Sequence, residues 1–406
     1  MEKMGKRNTD NKMMMFMRNI RLSKSCIGKE EIDAVTDVLH REYLGMGQDV
    51  HKFEDDLKDF FGRDVTLVNT GTAALHLAVQ GVGIKDGDEV LVQSLTYVAC
   101  FQAIRATGGI PVACDVDDDT LTIDLDDAER KLTPKTKAIM PVHYAGQCGN
   151  LDAIYEFAKK HNLRVIEDAS HAFGTYYKGR LIGSFGDVVC ISMDGIKNIT
   201  SGEGGMIITE DLDVQKIIKD ARLLSVQNDT DSRFKGTRTW VFDVNQPGWR
   251  YHMSNIMAAI GYTQLKKFPK FKEIRQRLAK IYQQELDNVK GIKIIPCNYN
   301  EVVPHIFVIR ITCGKRDIVK QCLNDNGVAT GIHYRPNHLL TLFTGNQNNT
   351  TLKHTDEIYE QLITLPLHAD MVEDDVYYIC VRYIRIKYVL DLSPKNPDCF
   401  LSIPHL

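Results

Sequence analysis

Between residues 65 and 209 the chain carries a succession of short, largely apolar segments: Val65–Val68, Glu89–Gln93, Ile110–Ala113, Ala138–Val142, Arg164–Ile166, Val188–Ser192 and Gly205–Thr209. Helical patterns such as Leu151–His161 fall between them. A strand without alternation must be buried on both faces, and a parallel sheet covered by helices on either side is the architecture that does this. The spacing therefore predicts an α/β fold with a mostly parallel sheet. Ligands of such sheets bind just beyond the carboxyl ends of the strands. Upstream, Lys29–Leu39 and Val50–Phe61 have apolar positions at helical spacing. Downstream, helices at Ser254–Leu265, Phe271–Leu286 and Arg316–Asn326, with strands at His305–Ile311 and Val328–His333, describe a smaller C-terminal α/β unit. The expected division is an N-terminal tail (1–27), a large domain (28–262), a small C-terminal domain (263–380) and an unplaced tail (381–406).

A chain of 406 residues is long enough for two cores. A net charge of −3 without a basic run argues against a nucleic-acid or anionic-membrane partner. The ten cysteines include no C-x-x-C pair and no histidine at metal spacing, so neither a disulfide framework nor a metal site is expected. Met1–Met17 is methionine-rich but lacks an apolar core and a small-residue cleavage site, so a signal peptide is not expected; alternative start codons account for it, and a flexible tail is the expectation. A cytoplasmic location follows from these readings.

The stretch Ile191-Ser192-Met193-Asp194-Gly195-Ile196-Lys197-Asn198, continuing to Gly205, places a lysine on a glycine-bounded turn between two apolar strands. A desolvated lysine has a depressed pKa and can act as an amine nucleophile; a solvated loop lysine is the plainer alternative. Asn69-Thr70-Gly71-Thr72-Ala73 lies between a strand and a helix, where free N–H groups and the helix dipole favour an anion, although such a start is often only a cap. Asp168 ends a strand, where it can hold a protonated ring nitrogen, as a pyridoxal cofactor requires, or cap a helix. Tyr97 follows another strand and can stack on a planar group or simply belong to the core. Ser192 can offer a hydroxyl to a phosphate, and His171 by itself reads as a structural histidine.

In order and wording these segments resemble the DegT/DnrJ/EryC1/StrS sugar aminotransferase family. The resemblance is carried by Asn69–Leu75, Glu89–Ala99, Pro141–Gly146, Glu167–Gly174, Gly183–Asp187, Lys197–Gly205, Tyr251–Gly261 and Gly331–Tyr334, and spans Ile20 to Met371. It implies a fold-type-I pyridoxal 5′-phosphate-dependent transferase. Lys197 matches the lysine that bonds covalently to the cofactor aldehyde and moves the substrate proton. Asp168 matches the acid that keeps the pyridine nitrogen protonated, and Tyr97 the stacking aromatic. Gly71, Thr72 and Ser192 match the phosphate cradle. His171 stands where a polar residue approaches the ring oxygen, and His333 and Tyr334 match a segment near the sugar nucleotide. The resemblance also implies a homodimer with shared sites.

Three departures accompany it. Met193-Asp194 follows Ser192 where the family often has an aromatic and a histidine. The segment that reaches the neighbouring subunit's site reads Gly248-Trp249-Arg250-Tyr251-His252, and Arg250 in place of asparagine adds a fixed charge suited to phosphate or carboxylate. Beyond Cys380 the chain no longer follows the family, as an altered reading frame or a strain-specific tail would produce. Glu203 resembles the C4-aminating branch, whose C3 counterparts tend to have aspartate there. The implied activity is transfer of an amino group from glutamate to C4 of a nucleotide-linked 4-keto-6-deoxysugar, with dTDP-4-keto-6-deoxyglucose favoured, in O-antigen, lipopolysaccharide or related surface-glycan synthesis. A GDP-perosamine-type C4 enzyme and a C3 aminotransferase are the neighbouring alternatives. A pyridoxal-dependent sugar dehydratase of the same scaffold would carry histidine at Lys197, and a non-catalytic sugar-nucleotide binder would not need Lys197 or Asp168.

Overall fold

The computed structural model describes residues 18–237, 241–344 and 351–390. A seven-stranded sheet organises the first two-thirds of the chain. Its strands are β1 (Val65–Val68), β2 (Glu89–Gln93), β3 (Ile110–Cys114), β4 (Thr136–Met140), β5 (Arg164–Asp168), β8 (Val188–Ser192) and β9 (Gly205–Thr209). The small hairpin β6 (Tyr176–Tyr177) and β7 (Arg180–Leu181) lies between β5 and β8 in the chain. The spatial order is β1-β9-β8-β5-β4-β2-β3. The run from β8 to β3 is parallel, while β9 pairs antiparallel with both β8 and β1.

Strand β8 shows why these segments contain so few polar residues. Val188 and Cys190 pack into the core on one face and Val189 and Ile191 into the core on the other, so successive side chains alternate between two apolar layers. Burying residues of this kind contributes roughly 1.5–3 kcal/mol each, so a polar substitution on either face is costly.

A second, antiparallel sheet, β10 (Ile292–Ile294), β11 (Phe307–Ile311) and β12 (Leu362–Leu365), has its own core with the helices Arg316–Asp325 and Glu373–Leu390. The segment 328–333, expected as a strand, makes only single bridges, Val328 to Ile20 and Gly331 to Thr364. The chain is instead drawn away from the sheet edge toward the cavity described below. β10 and β12 take the places beside β11.

The two helices expected at 254–265 and 271–286 are one, Asn255–Leu286, with Pro269 inside it. A proline within a helix costs about 3 kcal/mol. Phe268 and Phe271 are buried on either side of it, each contributing about 2 kcal/mol, which is enough to keep the helix continuous. Its first half packs into the core of the large sheet (Ala258, Phe268) and its second half into that of the small sheet (Leu278, Tyr282).

Residues 18–27, assigned with 1–17 to an N-terminal tail, are tied to the fold. Ile20 is buried, its N–H donates to the Gly327 carbonyl at 2.8 Å, and Arg18 pairs with Asp375 at 2.9 Å. Residues 1–17 lie outside the described residues. At the other end the last helix runs through Cys380 to Leu390, so part of the unplaced stretch is helical; 391–406 lie outside the described residues. Among the described residues, no helix is long and apolar enough to cross a membrane, no group of side chains is arranged to hold a metal ion, and the cysteines are unbridged.

Candidate active site

A cavity of about 430 Å³ opens beyond the carboxyl ends of β2, β4, β5 and β8, where ligands of such sheets bind. Gly71, Thr72, Tyr97, Asp168, His171, Ser192, Lys197, His333 and Tyr334 all line it. Arg250 does not: it is exposed, with its backbone bridged to Leu223 and its carbonyl near the Asn69 amide at 3.4 Å. On its own chain it lies outside the cavity.

One end of the cavity is a helix N-terminus. Thr70 caps the helix Gly71–Gly81, its hydroxyl accepting from the Ala73 N–H at 3.0 Å. The N–H groups of Gly71 and Thr72 precede the intrahelical ladder and remain available to an anion. Gly71 is required by packing: a Cβ there would lie 2.6 Å from the Cβ of Ser192. Gly205 faces the same constraint from the other side, since its Cβ would fall 2.3 Å from the Thr70 carbonyl oxygen. These two glycines let the helix start press onto the strand ends, which sets the Ser192 hydroxyl beside the free N–H groups.

Asp168 closes β5 and is 5% exposed. Its Oδ1 accepts from the Ser170 N–H at 3.0 Å and its Oδ2 from the Cys100 thiol at 3.0 Å. Burial and the adjacent carboxylate push the Cys100 thiol well above its usual range, so it stays protonated and donates. His171 accepts the Ala145 N–H on Nδ1 at 3.3 Å, which leaves the ring proton on Nε2 to donate to the Tyr334 hydroxyl at 3.0 Å. Burial, with Lys197 and His333 nearby, holds His171 well below its usual pKa, so the ring is neutral. Tyr97 leans over the opening, 57% exposed, its ring 5.6 Å from that of Tyr334.

Lys197 sits on a turn braced by its own N–H to the Asp194 carbonyl at 3.1 Å and by Met193 N–H to the Gly204 carbonyl at 2.8 Å. The neighbouring Asn198 amide donates to the carbonyls of Phe173 and Val303, tying the turn to the rest of the fold. Burial lowers the lysine from 10.5 to about 8, with Asp168 and Asp194 opposing the shift. Nζ lies 3.4 Å from Nε2 of His305. His333, held by its Nδ1 to the Thr364 hydroxyl at 2.8 Å, is lowered to about 4 by burial and by Lys197.

His305 and Cys100 were missed from sequence. Neither stands at a telling spacing from Lys197 or Asp168, and only the packing of the small sheet and of the helix Ala99–Ala106 brings them in. Asp194 and Glu203 also line the cavity, and burial together with Asp194 raises the Glu203 carboxyl.

An anion-binding helix end, a buried carboxylate and a low-pKa amine in one cavity suit a flat, phosphorylated aldehyde with a basic ring nitrogen, which is the chemistry of pyridoxal 5′-phosphate. The comparisons with known proteins agree. The DegT/DnrJ/EryC1/StrS aminotransferase family profile matches residues 25–383. The spore coat polysaccharide biosynthesis protein SpsC of Bacillus subtilis is 35% identical over 363 residues, covering 86% of this chain and 92% of SpsC. Spr1654 of Streptococcus pneumoniae, solved in its PMP form, is 28% identical with a TM-score of 0.86 over 93% of this chain and 100% of that one; it has also been solved in a PLP form. The sugar aminotransferase CalS13 of Micromonospora echinospora is 27% identical with a TM-score of 0.83, covering 89% and 98% of the two chains. Likeness of this extent, over a cavity built for that cofactor, places the chain in the DegT/DnrJ/EryC1/StrS family as a pyridoxal-phosphate-dependent sugar aminotransferase.

Proposed function

We propose that the enzyme moves an amino group from glutamate to C4 of a nucleotide-linked 4-keto-6-deoxysugar, dTDP-4-keto-6-deoxyglucose being the favoured substrate, for synthesis of a surface glycan. The observation that carries the residue assignment is the amine of Lys197 in the cavity that also holds Asp168 and the start of the helix Gly71–Gly81. When bound, the cofactor supplies an electron sink that stabilises negative charge at the carbon bearing the nitrogen. The remaining work falls to the chain.

With a pKa of about 8 instead of 10.5, about a tenth of the Lys197 population is neutral at pH 7. That is roughly 300 times more free amine than an unperturbed lysine offers, enough for covalent capture of an aldehyde and for taking up and returning a proton at the substrate carbon. Asp168, fixed by two donors on its two oxygens, presents negative charge to a protonated ring nitrogen. Gly71, Thr72 and Ser192 hold the phosphate, and Tyr97 covers the ring. His171, neutral and tied to Tyr334, approaches the ring oxygen. His333 and Tyr334 stand toward the sugar nucleotide. Glu203 on the cavity wall supports the C4 reading, through the wording of Lys197–Gly205.

The exposure of Arg250 outside its own cavity supports a homodimer in which this side chain serves the partner's site. Incubating the enzyme with glutamate and a panel of dTDP-, UDP- and GDP-linked keto-sugars, and locating the new amine by NMR, tests the substrate. Turnover of only a GDP-linked sugar, or amination at C3, would replace this reading. Sedimentation that found active monomers would remove the shared-site component.

A further inference from the structure

We propose that His305 is a positioning residue for Lys197, its Nε2 accepting a hydrogen bond from the lysine nitrogen and so setting the direction from which that amine works. The proposal rests on the reading of Lys197 as the cofactor lysine. Among the described residues, Nε2 of His305 at 3.4 Å is the one hydrogen-bond partner of Nζ, and Nζ forms no ion pair. The carboxylates of Asp168 and Asp194 act on it only through space. A lysine ammonium has protons to give and no lone pair, so the nitrogen of His305 facing it must be the unprotonated one. The ring proton is then on Nδ1, which is buried without a partner.

That orphaned nitrogen matters. A 3%-exposed imidazole with one unsatisfied nitrogen destabilises the fold relative to an apolar side chain of similar size. Packing alone therefore does not account for a histidine at this position.

The ring is also held firmly. The guanidinium of Arg275, 2% exposed on the long helix, donates to the carbonyls of His305 at 3.1 Å, Pro304 at 3.4 Å and Leu367 at 3.2 Å. The imidazole packs against that of His171 with centroids 4.5 Å apart. The charged and titratable groups around the pair are Asp168 and His171 after β5, Asp194 and Glu203 on the lysine turn, His333 and Tyr334, Cys100, and Arg275. Burial and the surrounding cationic groups keep His305 neutral. Through Arg275 and His305, the placement of the small sheet relative to the long helix is passed to the reacting amine.

The test compares His305→Gln, whose amide reaches as far as Nε2 and can accept but not titrate, with His305→Asn, one methylene shorter, and His305→Leu. The loaded enzymes are titrated spectroscopically with pH and their kcat and KM measured, with thermal melts confirming the fold. Asn and Leu should lower kcat by about 10- to 100-fold, the loss expected for a reacting group displaced by about 1 Å, at nearly unchanged KM. Their spectral titration midpoint should fall, because the protonated Lys197 nitrogen has lost its acceptor. Gln should keep both close to wild type. Wild-type behaviour in the folded Asn variant, or a Gln variant as impaired as Asn, would overturn the proposal. Borohydride reduction and peptide mapping separate the two readings: an adduct away from Lys197 in the wild type refutes the lysine assignment, whereas an adduct at Lys197 with no effect of Asn refutes only the role of His305.

Discussion

Replacing Lys197 by methionine should abolish transamination and stabilise the cofactor-free protein. The folded state holds this lysine at about 8, against 10.5 in the unfolded chain. A cation whose pKa is depressed by folding costs stability wherever it must be protonated, so the cost is complete below about pH 8 and disappears as the pH rises through 10.5. At pH 7 a shift from 10.5 to about 8 corresponds to about 3 kcal/mol at 1.36 kcal/mol per unit. Solvent reaching the half-buried side chain discounts this to roughly 1.5–3 kcal/mol. Methionine keeps the length and apolar stem of lysine without the charge, so packing should change little. Urea unfolding of both cofactor-free proteins at pH 7, 9 and 10.5 measures the effect. The variant should be more stable at pH 7, and the gap should shrink by pH 9 and nearly close at 10.5. Equal stability at pH 7, or a gap independent of pH, would refute the argument that burial of this amine is the source of its reactivity.

Other consequences follow from the same geometry. Arg222 is 0% exposed and pairs with Glu54 at 2.6 Å, so Glu54→Gln should cost about 3–5 kcal/mol in urea unfolding by leaving a buried charge unpaired, while pairing it with Arg222→Met should restore most of the loss. Gly71→Val should weaken cofactor binding by roughly ten-fold or more, the scale of the 1–3 kcal/mol that overpacking costs. Its Cβ would collide with Ser192, and equilibrium dialysis would report the change. Cys100→Val removes the thiol donor from Oδ2 of Asp168 and should weaken cofactor retention several-fold, by about 1 kcal/mol. Cys100→Ser should retain it, and identical retention by Val and Ser would show that the thiol contact is incidental.

Much of the large sheet was legible because strands buried on both faces leave an unmistakable mark: Val65–Val68, Glu89–Gln93, Val188–Ser192 and Gly205–Thr209 were read with the bounds the structure has. The small sheet was harder. Ile292–Ile294 is a short, half-buried strand without a distinctive pattern, and Val328–His333 looked like a strand but has only single bridges because the chain leaves the sheet toward the cavity that His333 and Tyr334 line. The helical patterns at 254–265 and 271–286 read as two helices, yet they run on through Pro269 because the phenylalanines flanking it are buried. Around the cavity, the predicted groups that follow strand ends fell together, since topology alone delivers strand ends to one edge of the sheet.

The order of motifs in the chain was thus enough to determine the fold class, the family and the edge of the sheet at which the site lies, because hydrophobic period and strand-end position are local properties carried by neighbouring residues. Which side chains actually meet was decided only in three dimensions. His305 reaches Lys197 from 108 positions away and Cys100 reaches Asp168 from 68, and no local pattern records such distances. The depressed pKa of Lys197 likewise belongs to no segment: it arises from burial, when residues distant in the chain pack around one amine.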